Sequence, residues 1–108
     1  MSQLSAHVLD AVAGVPAAGV RVELATAAGQ PIASATTGPD GRVGALGPDR
    51  LEPGPYQVTF ASADYFAGRG TDCFYPSVTV LFTVTDGQPH YHVPLLLSPY
   101  SYTTYRGS

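Results

Sequence analysis

Turn-forming residues recur along this chain at intervals that leave little room for helices of ordinary length. Gly14-Val15-Pro16, Gly38-Pro39-Asp40-Gly41, Gly47-Pro48-Asp49, Pro53-Gly54-Pro55 and Asp86-Gly87-Gln88-Pro89 each supply a positive φ or fix φ near about −65°. The stretches between them alternate. Val20, Val22 and Leu24 face one way and Arg21 and Glu23 the other; Tyr56, Val58 and Phe60 alternate with Gln57 and Thr59. Val78, Val80, Phe82 and Val84 do the same against Thr79, Leu81 and Thr83, and the apolar Leu81 hints at a second buried face. Period-two patterning between turns reads as short strands in a sandwich or barrel. Eight strands are expected, over Ser5–Asp10, Val20–Thr26, Pro31–Thr37, Gly44–Leu46, Pro55–Ala61, Ser77–Thr85, His90–Leu97 and Tyr100–Tyr105. Eight short strands can close as two four-stranded sheets. One short helix is expected from Ser62 to Gly68, with Ser62 as N-cap, Asp64 in the first turn and Gly68 as terminator. The fold class is therefore all-β, and 108 residues without a linker or internal repeat form a single domain, 1–108.

Charge and cysteine usage narrow the function. All five basic residues are arginines (Arg21, Arg42, Arg50, Arg69, Arg106), so no lysine is present for a Schiff base, a phosphate loop or a polybasic membrane patch. Against eight carboxylates the net charge is −3, and the arginines are dispersed, which argues against a nucleic-acid partner. A lone Cys73 cannot form an internal disulfide, and a reducing compartment is the simpler reading. No apolar run approaches the roughly 18 residues of a membrane span, and neither end carries a targeting signal. The expectation is a soluble, cytoplasmic protein with no membrane partner.

Chemistry-bearing residues are few. On a pleated strand His90 and His92 project from one face and Tyr91 and Val93 from the other. Such a pair is compatible with a solvated strand start, with a metal pair, or with proton transfer, since imidazole titrates near neutrality. His7 stands in an apolar strand, and Asp10, three residues on, points to the opposite face and does not orient it. Arg42 follows the Pro39-Asp40-Gly41 turn; its planar fork suits a carboxylate, an imide or another flat anionic group. Cys73 has no neighbouring cation in sequence to activate it and reads as a small buried residue. With no Ser-elbow, zinc-helix or phosphate-loop motif present, an enzyme built on this chain would activate water.

The last nineteen residues, His90 to Ser108, join an apolar strand with a Leu95-Leu96-Leu97 run to a Ser98-Pro99 turn and a tyrosine-rich strand ending in Tyr105-Arg106-Gly107-Ser108. That much apolar surface at a terminus implies a subunit interface, to which the Arg106 guanidinium and the Ser108 carboxylate would be brought.

These residues carry a resemblance. Leu96-Leu97-Ser98-Pro99-Tyr100-Ser101-Tyr102-Thr103-Thr104-Tyr105-Arg106-Gly107-Ser108, with His7-Val8-Leu9-Asp10 and Phe74-Tyr75-Pro76, resembles the transthyretin-related proteins over essentially the whole chain. The Tyr-Arg-Gly-Ser ending matches that family's hydrolases; transthyretin itself continues past its Leu-Leu-Ser-Pro-Tyr segment and lacks that ending. The resemblance implies a transthyretin-like sandwich of two four-stranded sheets and a homotetramer, a dimer of dimers, with sites in a channel where dimers meet. It also implies hydrolysis of the purine-derived 5-hydroxyisourate, the product of urate oxidation, at its N1–C6 amide. Carried over by motif, the implied site is His7, Arg42, His92 and Ser108 as catalytic residues, with Tyr105, Arg106 and Gly107 binding substrate. No cofactor is implied and no metal is required.

Two other readings stand beside it. The stretches Gly14–Leu24, Thr36–Gly41 and Leu51–Tyr56 also look like carboxypeptidase-regulatory or collagen-adhesin B-type spacer sandwiches, a pattern that leaves the histidine strand and the tail unexplained. A transthyretin-like carrier would bind a flat hydrophobic ligand in the channel; His7, Arg42 and His92 suit a small polar substrate better.

Overall fold

Sorting the alternating residues by burial separates two sheets facing one another across an apolar layer. The structure is a computed structural model and describes residues 2–108; Met1 lies outside the described residues. The elements are β1 (Leu4–Asp10), β2 (Val15–Pro16), β3 (Arg21–Thr26), β4 (Pro31–Thr36), β5 (Arg42–Val43), β6 (Gly54–Phe60), α1 (Ser62–Ala67), β7 (Val78–Val84), β8 (Tyr91–Leu97) and β9 (Tyr102–Thr104). The first sheet runs β2-β1-β8-β9, with β5 also paired to β1; the second runs β4-β3-β6-β7. All pairings are antiparallel except β1 with β8, which run parallel and set Ser5 opposite His92 and His7 opposite Pro94.

Between the sheets lie Leu4, Ala6 and Val8 of β1, Val22 and Leu24 of β3, Val58 and Phe60 of β6, Val78 and Val84 of β7, and Val93, Leu95 and Leu97 of β8, all buried. Each large apolar side chain removed from water contributes about 1.5–3 kcal/mol before the entropy of ordering it. The opposite face of β1 and β8 carries Ser5, His7, His92 and Leu96. Packing one face of β1 and β8 into the core thus dedicates the other face to polar chemistry.

The observed elements differ from the expected ones in several places. A ninth strand, β2, occupies Val15–Pro16 inside what reads as a turn, pairing Leu9 with Pro16 and Asp10 with Val15. The first sheet therefore has five strands instead of four. The strand expected at Gly44–Leu46 is instead Arg42–Val43, because Gly41 returns the chain directly onto β1. Ser62 does not cap α1: it is buried and its hydroxyl donates to the Tyr75 carbonyl at 2.9 Å, and Ala61 stands at the cap position. Leu81 meets no second core within one chain and is 65% exposed on the edge strand β7. Cys73 is only half-buried, with its sulfur 3.2 Å from the Tyr75 carbonyl.

Asp10 faces inward from β1 and is 3% exposed. Its Oδ1 accepts from the N–H groups of Val12 and Ala13 at 3.0 and 2.9 Å, and its Oδ2 accepts from the Tyr65 hydroxyl at 2.8 Å. Burial works to raise its pKa, but the bonds from Ala13, Tyr65 and Val12, with the Arg69 charge, outweigh it and hold the carboxyl below its usual value. The same burial and the same carboxylate push the Tyr65 hydroxyl up to about 12. This knot ties the end of β1 to α1.

Candidate active site

Gly41 is the residue that brings Arg42 to the histidines. Its φ is +75°, and a Cβ there would stand 2.4 Å from the Val8 carbonyl oxygen, so a side chain would be both strained and blocked. With glycine in place, the Gly41 carbonyl accepts from the Val8 N–H at 2.8 Å, the Gly41 N–H donates to the Gly38 carbonyl at 2.8 Å, and the Gly38 N–H donates to the Arg42 carbonyl at 3.0 Å. Asp40 Oδ1 closes the turn by accepting from the Arg42 N–H at 3.0 Å. The chain then enters β5 with Arg42 directly opposite His7 on β1, and directly opposite residues project from the same face of a sheet.

His7 is oriented by the same turn. Its Nε2 lies 3.1 Å from the Asp40 carbonyl oxygen; a carbonyl only accepts, so Nε2 carries the proton and a neutral His7 presents its lone pair at Nδ1. The His7 and His92 rings have their centroids 6.4 Å apart and are tilted by 33°. That spacing is too long for a direct bond between the rings and suits an oxygen held between them.

His92 is the most perturbed group in the cluster. Its pKa lies below the ordinary 6.5, first because burial disfavours the imidazolium and then because Arg42, His7 and His90 all add positive charge around it. At neutral pH it is therefore an uncharged imidazole able to accept a proton. Its Nδ1 lies 2.7 Å from Ser5 Oγ, and the same oxygen lies 2.8 Å from His90 Nε2. Neither contact was legible in the sequence, where only the shared face of His90 and His92 was visible.

The tail reaches this face by continuing the β9 register. Leu95 pairs with Thr104, and three residues further along each strand His92 pairs with Gly107, whose N–H donates to the His92 carbonyl at 2.9 Å. Pro94 lies between the two contacts and has no N–H to give, and the ladder is interrupted there. A Cβ on Gly107 would stand 2.5 Å from His92 Cδ2, so this glycine lies directly against the imidazole. Ser108 follows it by one residue and is exposed, as is Tyr105. The Arg106 guanidinium donates to Gln88 Oε1 at 2.9 Å and sits 5.1 Å from the centre of the Tyr91 ring.

The residues that sequence reading singled out thus separate into two groups. His7, Arg42, His92 and Gly107 converge on one patch, while in a single chain Arg106 is engaged by Gln88 and Tyr91, and Tyr105 and Ser108 face solvent. Among the described residues, no three His, Cys, Asp or Glu side chains form a metal-binding group. A surface groove of about 510 Å³ lies on the other sheet between Arg21, Glu23, Ala33, Gln57 and Thr59; its charged pair, Arg21 and Glu23, is exposed and mutually bonded.

Residues 4–107 match the model of the HIUase/Transthyretin family. A 5-hydroxyisourate hydrolase of Deinococcus radiodurans is 48% identical over 97% of this chain and 95% of its own length. The structure of Klebsiella pneumoniae 5-hydroxyisourate hydrolase superposes with a TM-score of 0.91 at 34% identity, covering 99% of this chain and 100% of that one. Sea bream transthyretin in complex with thyroxine superposes with a TM-score of 0.89 at 34% identity, covering 97% of this chain and 94% of that one.

Proposed function

The chain belongs to the HIUase/transthyretin family, and we propose that it is the hydrolase of that family, opening 5-hydroxyisourate at its N1–C6 amide to give 2-oxo-4-hydroxy-4-carboxy-5-ureidoimidazoline. The observation that carries this reading is the meeting of His7, Arg42 and His92 on one sheet face. A carrier of a flat apolar ligand gains nothing from two imidazoles and a guanidinium there, and a spacer module leaves them without a role.

Each group has a chemical task. His92, kept neutral by its surroundings, takes a proton from water at Nε2, the nitrogen Ser5 leaves free. His7, with Nε2 held by the Asp40 carbonyl, presents Nδ1 to the same water and fixes its direction of attack. Arg42 binds the carbonyl-rich, acidic substrate and stabilises negative charge growing on the C6 oxygen. When the tetrahedral adduct collapses, the C6–N1 bond breaks, the proton on His92 passes to N1, and a carboxyl group remains at C6. The backbone of Gly107 lines the site against His92, and Tyr105, Arg106 and the Ser108 hydroxyl complete it in the assembled protein.

That assembly is a homotetramer, a dimer of dimers formed from one 108-residue domain per chain, with the histidine faces turned toward one another. The exposed aromatic side chains of the tail support it. The substrate is a small molecule; no nucleic acid, membrane or cofactor takes part, and the cytoplasm is the compartment. No helix among the described residues is long and apolar enough to cross a membrane. The direct test is to follow the ultraviolet absorbance of freshly generated 5-hydroxyisourate with and without the protein. Catalysed decay well above the spontaneous rate is expected; decay at the spontaneous rate would overturn the assignment.

A further inference from the structure

Ser5 is buried on the histidine face of β1, directly opposite His92 in the parallel β1–β8 register. Its hydroxyl oxygen touches two imidazoles at once, His92 Nδ1 at 2.7 Å and His90 Nε2 at 2.8 Å. A hydroxyl carries one hydrogen, so it donates to one ring and must accept from the other. This count permits two arrangements and couples the two histidines.

In the first arrangement His92 Nδ1–H donates to Ser5 Oγ, the Ser5 hydroxyl donates to His90 Nε2, and His92 keeps its lone pair at Nε2. In the second, His90 Nε2–H donates to Ser5 Oγ, the hydroxyl donates to His92 Nδ1, and a neutral His92 carries its proton on Nε2. Only the first leaves a base facing away from Ser5. We infer that Ser5 and His90 are a positioning pair, in which the shared hydroxyl selects the tautomer of His92 that can accept a proton and ties that choice to the protonation of exposed His90. This rests on the reading of His92 as the base.

The coupling has a direction. Protonated His90 has only a donor at Nε2, which forces the second arrangement and disables His92. The ionisable groups facing His92 are His7 from β1, Arg42 from β5 and His90 ahead of its own strand; from the tail, Gly107 brings only backbone against the ring, and the Arg106 guanidinium is held by Gln88 and Tyr91. No carboxylate side chain is among the groups acting on His92, which leaves tautomer selection to the hydroxyl.

Nitrogen-15 NMR of the imidazoles, together with initial rates on fresh 5-hydroxyisourate, tests the pair. Wild-type His92 is expected to hold its neutral-form proton on Nδ1, and Ser5→Ala to shift it toward a mixture. In the same variant kcat should fall about tenfold with KM unchanged, a share of the ~10²–10⁴-fold that a positioned base contributes. Ser5→Thr, which keeps the hydroxyl, should restore most of the rate, and His90→Ala should make the acid limb of the kcat–pH profile shallower. An unchanged His92 tautomer in Ser5→Ala, or Ser5→Thr as slow as Ser5→Ala, would overturn the inference. If the wild type fails to hydrolyse the substrate, the proposed activity falls, while the NMR result still decides the tautomer coupling.

Discussion

At Gly107 the absence of a methyl group decides how closely the tail can approach the imidazole of His92. A Cβ there would lie 2.5 Å from Cδ2 and 3.1 Å from Cγ, so Gly107→Ala must displace either the ring or the tail. Because displacement of about 1 Å at a reacting group can cost about 10²-fold, kcat of Gly107→Ala is expected to fall by about that factor. Its thermal unfolding should match wild type, since the contact lies outside the core. Absorbance kinetics beside a melting curve checks both, and an undiminished kcat would remove the tail from the site. Residue type drew attention to His7, Arg42 and His92 in the sequence but left structural and solvated roles open for each; it was the resemblance of the motifs around them that grouped them as a site. Ser5 was not visible: a serine on the polar face of a strand is ordinary, and only the parallel pairing of β1 with β8 places it under His92. His90 was visible as a neighbour of His92, but its partner was not.

Among the elements, β3, β6 and β7 were legible because alternation specifies which face is buried, and β8 because its apolar run with Leu95-Leu96-Leu97 reads as a strand. β5 was displaced from its expected place because a two-residue strand has no period to read; its position follows from the Gly41 turn and the close approach to Val8. β2 was hidden inside turn chemistry for the same reason. The end of β1 depends on the Asp10 carboxylate, whose partner Tyr65 is 55 residues away, a contact no local pattern contains. Asp10→Asn keeps the shape but gives up charge-assisted acceptance from two N–H groups and a hydroxyl. It should lower unfolding free energy by about 1–3 kcal/mol at pH 7 in a denaturant titration. The sign of the pH effect follows from its lowered pKa. The unfolded carboxyl takes up a proton near 3.8 and the folded one only at lower pH, so the stabilisation is complete above 3.8 and is lost as pH falls below it. The variant should lack that part of the acid loss; an Asp10→Asn protein as stable as wild type at pH 7 would show that the knot contributes nothing.

For the whole molecule, what one chain leaves uncovered is informative. Phe74, Leu81 and Tyr100 are 70, 65 and 69% exposed, and β7 and β9 end their sheets with unpaired edges, features that association with further copies would cover. The proposed tetramer would do this and would turn the open histidine face into an enclosed channel. His92 lies on the outer face of its sheet and contributes no core contact, so His92→Ala should leave folding and assembly untouched while removing the base. The decisive measurement is kcat of His92→Ala on freshly generated 5-hydroxyisourate, with sedimentation run on the same sample. A four-chain particle equal in size to wild type, turning over about 10²–10⁴-fold more slowly, is the predicted result. Wild-type turnover by that particle would contradict the account.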